Sequence, residues 1–165
     1  MVKLDAIDVK ILIALQNDGR MTKVKLAQTV NLSVSPCWER LKRLERAGVV
    51  AGYRAEVDID KLFIPTQVWV EISLQHHRRE DFERFEAHID SIDDVVECWA
   101  LGGSIDYLMR VVSPHMDGYQ LLMEGLLDAD IGIDRYVTLV VTKPVKKNVG
   151  LPLETLLQEA PKPGG

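Results

Sequence analysis

Arg40, Lys42, Arg43 and Arg46 share one short stretch of chain with Ser33, Ser35, Pro36 and Glu39. Guanidinium and ammonium groups neutralise phosphate, serine hydroxyls donate to phosphate oxygens or base edges, and a glutamate accepts from a cytosine amino group. On a helix advancing about 100° per residue, Ser35, Glu39, Lys42, Arg43 and Arg46 fall on one face. Val34, Cys37, Leu41 and Leu44 form a narrow apolar stripe on the other, flanked by Trp38 and Arg40. Ser33 or Ser35 starts this helix; with Ser35 as the cap, Pro36 takes the first helical position, where its missing N–H costs nothing. This is the chemistry of a helix laid against DNA. The same spacing suits equally well a trihelical bundle whose basic face is merely solvated.

Two further helices must position it. Ile7, Ile11, Ala14 and Leu15 recur at helical spacing, Asp5 and Asp8 suit that helix's N-terminus, and Gly19 ends it. Thr22 can cap a second helix that turns Val24, Ala27, Leu26 and Val30 inward, and Asn31 suits the left-handed position in the turn that follows. Gly48 stops the third. Three short helices with a tight turn before the last match a helix-turn-helix.

Charge divides the chain in the same place. Residues 1–54 hold ten Lys/Arg and five Asp/Glu, whereas residues 55–165 hold ten and twenty, giving balances of +5 and −10 within a net charge of −5. The basic part could meet a polyanion that would repel the acidic part. At 47 % apolar and 27 % charged residues, the composition is that of a globular protein rather than a disordered chain or coiled coil. No apolar run is long enough to span a bilayer and no signal-peptide core is present, so no membrane partner and a cytoplasmic location are expected. Cys37 and Cys98 are the only cysteines, which excludes a disulfide scaffold and a cysteine-type zinc site.

Residues 49–57 read as a strand, and Asp58, Asp60 and Pro65 mark a linker. Beyond it, Val68, Val70, Ile72 and Leu74 alternate with polar positions as in a half-buried strand. Phe82, Phe85 and Ile89 predict a helix, residues 95–101 and 106–112 two strands, Tyr119, Leu122, Met123 and Leu126 a second helix, and residues 136–142 a last strand. This β-α-β-β-α-β order predicts a ferredoxin-like four-stranded sheet with both helices on one side. Trp69, Trp99, Leu101 and residues near 136–141 put apolar area on the bare side, so self-association through the sheet is expected. Residues 161–165 read as a frayed tail.

Other candidates carry less. His76 and His77 are adjacent in a strand and point to opposite faces, which argues against a shared metal. Asp93 and Asp94 suit a solvated turn. Cys37 suits the core, and Trp38 suits packing. No nucleophile constellation, phosphate-binding glycine loop or ligand cluster is present, so neither enzyme activity, metal nor cofactor is expected.

Leu4-Asp5-Ala6-Ile7-Asp8, Asn17-Asp18-Gly19-Arg20, Leu32-Ser33-Val34-Ser35-Pro36-Cys37 and Arg40-Leu41-Lys42-Arg43-Leu44-Glu45 with Gly48 resemble the N-terminal signature of the Lrp/AsnC family of feast/famine transcription regulators. The resemblance runs from residue 1 to about 150. It implies an α+β protein with a helix-turn-helix (winged-helix-like) domain at 1–50, a strand and linker at 51–65, a βαββαβ ferredoxin-like effector-binding and oligomerisation domain at 66–145, and a C-terminal segment at 146–165. It implies a sequence-specific regulator that binds double-stranded DNA through Ser33, Ser35, Pro36, Glu39, Arg40, Lys42, Arg43 and Arg46. It also implies a homodimer that assembles further to a tetramer or octamer, with a small amino acid or related zwitterion bound where dimers meet. An architectural DNA-binding protein with no effector is the alternative.

The family often carries Gly-Asp-Tyr/Phe-Asp in the hairpin between the second and third strands of this domain. Here the slots read Gly103-Ser104-Ile105-Asp106, so one carboxylate and one aromatic are missing. Gly102, Gly103 and Ser104 would offer backbone N–H groups to a carboxylate, and Asp106 a charge to an ammonium. A plain turn with Asp106 bonded to nearby backbone fits the same residues. By the resemblance, Met116 and the stretch around Thr138 and Val140 of another subunit would also affect the response. Within the family, Pro36-Cys37-Trp38, His76-His77 and Asp106-Tyr107-Leu108-Met109-Arg110-Val111 are similar to the cysteine-responsive branch and to regulators of ectoine breakdown.

Overall fold

A computed structural model describes residues 2–146 and 150–159. The chain forms two compact units, one running to Glu56 and resuming at Lys146, the other spanning Val57–Val145. The tail expected at 161–165 lies outside the described residues.

In the first unit, α1 (Ala6–Asn17), α2 (Lys23–Thr29) and α3 (Val34–Arg46) enclose a core of Ile11, Leu12, Ala14, Leu26, Ala27, Val30, Cys37, Leu41 and Leu44. Asp5 caps α1 by accepting from the N–H groups of Ile7 and Asp8, both at 2.9 Å, and Asp8 returns the bond to Asp5 N–H at 3.0 Å. This is a capping box built from two aspartates. Thr22 caps α2, and Asn31 (φ 57°) and Gly48 (φ 69°) take the left-handed positions after α2 and α3.

Two expectations change here, and one open alternative is decided. Val24 is 54 % exposed, because it sits about 200° round the helix from buried Leu26. The cap of α3 is Ser33, not Ser35, which moves Pro36 to the third helical position and leaves Val34 exposed at the helix start. Residues 49–57 form no strand. Val49 and Val50 instead turn their N–H groups back to the Leu44 carbonyl, and among the described residues no strand pairs with the exposed residues that follow.

The C-terminal segment supplies a further helix, α6 (Leu153–Glu159). Leu153 packs on the core of the three helices, and the Gln16 side chain both accepts from Leu151 N–H (2.7 Å) and donates to Leu151 O (3.2 Å).

The second unit runs β1 (Thr66–Leu74), α4 (Arg79–Ile89), β2 (Val95–Ala100), β3 (Tyr107–Ser113), α5 (Met116–Asp128) and β4 (Ile133–Val140). The sheet order is β2-β3-β1-β4 with every neighbouring pair antiparallel. Period-two burial along β1 and β3 sends Val68, Val70, Ile72, Leu74, Tyr107, Met109 and Val111 into one core with Phe85 and Ile89 of α4 and Tyr119, Met123 and Leu126 of α5.

The register defines the opposite face. Trp69 stands between Arg110 and Leu139, Glu71 between Leu108 and Val137, and Trp99 beside Leu108. Trp99 is 58 % exposed, and Val137 and Leu139 are also open to solvent. Tyr136, Thr138 and Val140 alternate to the helix side, so only part of the 136–141 stretch contributes to this surface.

Candidate functional site

The face of α3 turned away from the core carries Ser33, Ser35, Pro36, Glu39, Lys42, Arg43 and Arg46, all exposed, while Cys37, Leu41 and Leu44 hold the helix to α1 and α2. Pro36 has a consequence for Ser33. A serine cap ordinarily accepts from the N–H three residues on, but proline has none, and among the described residues the Ser33 hydroxyl makes no capping bond at the mouth of the helix. Trp38 is partly buried against the core, with the Lys23 ammonium 3.5 Å and the Lys42 ammonium 5.3 Å from its ring centre.

Arg40 stands apart from the other basic residues. Its Nη1 lies 2.6 Å from Asp5 Oδ2 and 3.0 Å from Asp8 Oδ1, so its charge is answered inside the unit. Arg40, expected to neutralise phosphate, is held here by two carboxylates at the start of α1. Arg43 also pairs with Asp8 but remains half-exposed. The Asp8 N–H and then the Arg40 guanidinium pull the Asp5 carboxyl down to about 2, and Asp5 followed by Asp8 pushes Arg40 upward.

In the second unit, residues 101–106 join β2 to β3. Asp106 is fixed to the end of β1: its N–H donates to Ile72 O at 2.9 Å, and its Oδ2 accepts from Leu74 N–H at 2.8 Å. Its Oδ1 lies 3.0 Å from His77 Nε2. Gly102 and Gly103 have no positive φ, and a Cβ at either would meet nothing within 4 Å. Neither the turn nor packing within this chain requires glycine there.

Residues 4–51 match the winged helix-turn-helix DNA-binding model, and residues 67–151 match the Lrp/AsnC ligand binding domain. The chain belongs to the Lrp/AsnC family. It is 51 % identical to the transcriptional regulatory protein DoeX of Halomonas elongata, over 88 % of this chain and 92 % of that protein. It is 40 % identical to the leucine-responsive regulatory protein of Haemophilus influenzae, over 87 % of each. A Neisseria meningitidis transcriptional regulator solved as its L-Met complex superposes with a TM-score of 0.87 at 34 % identity, covering 93 % of this chain and 99 % of that one. The fold expected from the sequence is thus the family's, and the chain is a DNA-binding transcription regulator of Lrp/AsnC type with a ligand-binding domain.

For an Lrp/AsnC regulator, the positions singled out for the effector are dispersed within one chain. The 102–106 hairpin lies at the Leu74 end of β1, whereas Met116 begins α5 just after Ser113, at the Thr66 end. Seven strand steps from Asp106 to Ser113 correspond to about 23 Å. Thr138 and Val140 lie on β4, beyond β1, with the Thr138 hydroxyl bonded to Tyr119. A site that uses all of them needs more than one copy of the chain.

Sequence reasoning missed three contacts: Asp5 and Asp8 with the α3 arginines, His77 with Asp106, and Gln16 with Leu151. The first had a signal in the Asp5–Asp8 pair opposite a basic helix. The others join residues far apart in sequence with no local pattern. Among the described residues, no helix is long and apolar enough to cross a membrane.

Proposed function

We propose that this regulator recognises specific operators by laying α3 in the major groove, with Ser33, Ser35, Pro36, Glu39, Lys42, Arg43 and Arg46 as its contact surface. The observation that carries this reading is the division of α3 into a buried stripe and an exposed, hydroxyl- and cation-bearing face. Arg40 acts behind that surface rather than on it. Two chains pair through the open sheet faces around Trp69 and Trp99, which would otherwise leave an apolar surface in water. Pairing brings two copies of α3 to half-sites separated by whole turns of DNA, and further pairing of dimers gives tetramers or octamers. The protein works in the cytoplasm, where its DNA is.

The effector is a small amino acid or related zwitterion held where dimers meet. Its ammonium group pairs with Asp106, and its carboxylate takes backbone N–H groups of Gly102, Gly103 and Ser104. Met116, Thr138 and Val140 come to the site from neighbouring copies. The open space beside both glycines and the oriented Asp106 carboxylate support this reading, as does the methionine complex of the Neisseria relative. The resemblance of Pro36-Cys37-Trp38, His76-His77 and Asp106–Val111 to regulators of ectoine breakdown and to the cysteine-responsive branch makes amino acids from ectoine breakdown the first to test, with cysteine next.

Capture of genomic fragments by the purified protein, followed by binding measurements with and without these amino acids, tests the proposal. A few enriched operators whose occupancy changes with one amino acid support it. Uniform enrichment with no response to any of them indicates effector-free, architectural binding.

A further inference from the structure

Asp8 is a carboxylate that is only 1 % exposed, and three donors converge on it: Asp5 N–H at 3.0 Å, Arg40 Nη1 at 3.0 Å and Arg43 Nη2. Asp5 adds a second acceptor for Arg40 at 2.6 Å. Arg40 and Arg43 are three residues apart, hence neighbours on one side of α3, so a single turn of α1 reaches both. Lys42 and Arg46 lie on the same helix and form no ion pair among the described residues. The cap of α1 accounts for one of these bonds. It does not account for two arginines of a DNA-facing helix being drawn toward the helix behind it.

We propose that Asp5 and Asp8 are positioning residues that select which cations of α3 reach DNA. They withdraw Arg40 from phosphate and hold one side of Arg43, so that its remaining N–H groups face outward in a fixed orientation. The inference rests on α3 being the DNA-facing helix. A free arginine on this face would bind any sequence, because phosphate attraction is blind to bases. Paired to a buried carboxylate, Arg40 adds little to that blind attraction, and Arg43 meets DNA as a pre-oriented fork rather than a mobile charge. The two carboxylates trade total affinity for discrimination.

The test compares full-length wild type, Asp8→Asn and Asp5→Asn on an operator from the genomic capture and on a scrambled duplex, across a series of salt concentrations. Asparagine caps a helix about as well as aspartate, so Asp5→Asn keeps the cap and removes only the charge. It serves as the deciding variant if Asp8→Asn fails to fold by circular dichroism. The proposal expects each variant to bind scrambled DNA more tightly than wild type. The slope of log affinity against log salt should steepen by about 0.9 for each arginine released. The operator-to-scrambled ratio should fall by roughly fivefold or more, the lower range for an oriented base contact. A purely structural role would not steepen the slope. Unchanged slope and ratio in a folded Asp5→Asn variant, with Lys42→Ala and Arg46→Ala each flattening the slope, overturns the proposal and leaves the DNA-facing reading of α3 intact. If Lys42→Ala and Arg46→Ala also leave the slope unchanged, that reading fails and this inference falls with it.

Discussion

The backbone N–H of Leu74 donates to the Asp106 carboxylate at 2.8 Å, tying the last residue of β1 to the residue that leads into β3. One carboxylate oxygen is therefore spent on the fold, and His77 Nε2 lies 3.0 Å from the other and 3.2 Å from the first. The backbone bond fixes the orientation of the carboxylate, and the proposed effector contact does not require that bond to break.

Asp106→Asn separates the two roles. The amide oxygen still accepts from Leu74 N–H, so the melting temperature should change little. Effector affinity should fall about tenfold or more, because a charge-assisted bond to an ammonium is replaced by a neutral one. Isothermal calorimetry of both proteins with the responsive amino acid reads this directly. Equal affinities would move the ammonium site elsewhere.

Replacing Trp69 and Trp99 together by glutamate should convert the full chain to a monomer at micromolar concentration. Trp99 is largely exposed and Trp69 partly so, and carboxylates in their place would face their own symmetry mates and repel. Sedimentation velocity measures it. A double variant that sediments like wild type would place the interface off this face.

The contact of α6 with the DNA-binding unit predicts stability effects at a distance from α3. Gln16→Ala removes two exposed hydrogen bonds to Leu151, and Leu153→Ala removes a half-buried side chain from the helical core. Each should cost about 1 kcal/mol. Hydrogen exchange should show faster opening of α1 in both variants, with β1 and β3 unchanged.

Acid stability carries the mark of Asp5. Its carboxyl is drawn down to about 2 by the Asp8 N–H first and the Arg40 guanidinium second. A carboxyl depressed in the fold contributes stability that is complete above its unfolded value near 3.9 and disappears as pH falls through 2. Wild type should therefore lose stability between about pH 4 and 2 more steeply than Asp5→Asn. Denaturant midpoints across that range, with a carbon-detected titration of Asp5, check the sign.

Much of this architecture was legible because it depends on local pattern. The strict alternation from Val68 to Leu74 fixes which face of β1 is buried, and Asp5, Thr22, Asn31 and Gly48 mark helix ends by their own chemistry. What the pattern could not supply were partners. Residues 49–57 look like a strand, but a strand needs a neighbour, and none is described beside them. Arg40 is readable as a basic residue of its helix, but its bonds to carboxylates 32 and 35 residues away are not. The hairpin's glycines and Asp106 were readable as candidates. Their dispersal from Met116 and Thr138 emerges only from the sheet register.

The proposed function stands on the exposed face of α3 binding DNA and reading its sequence. The most direct measurement is the anisotropy-detected affinity of wild type, Lys42→Ala and Arg46→Ala for a captured operator and its scrambled counterpart, across a range of salt concentrations. Wild type should prefer the operator, and the salt slope should flatten by about one for each lysine or arginine removed. Equal affinity of wild type for both duplexes, or slopes that do not change in either variant, would contradict it.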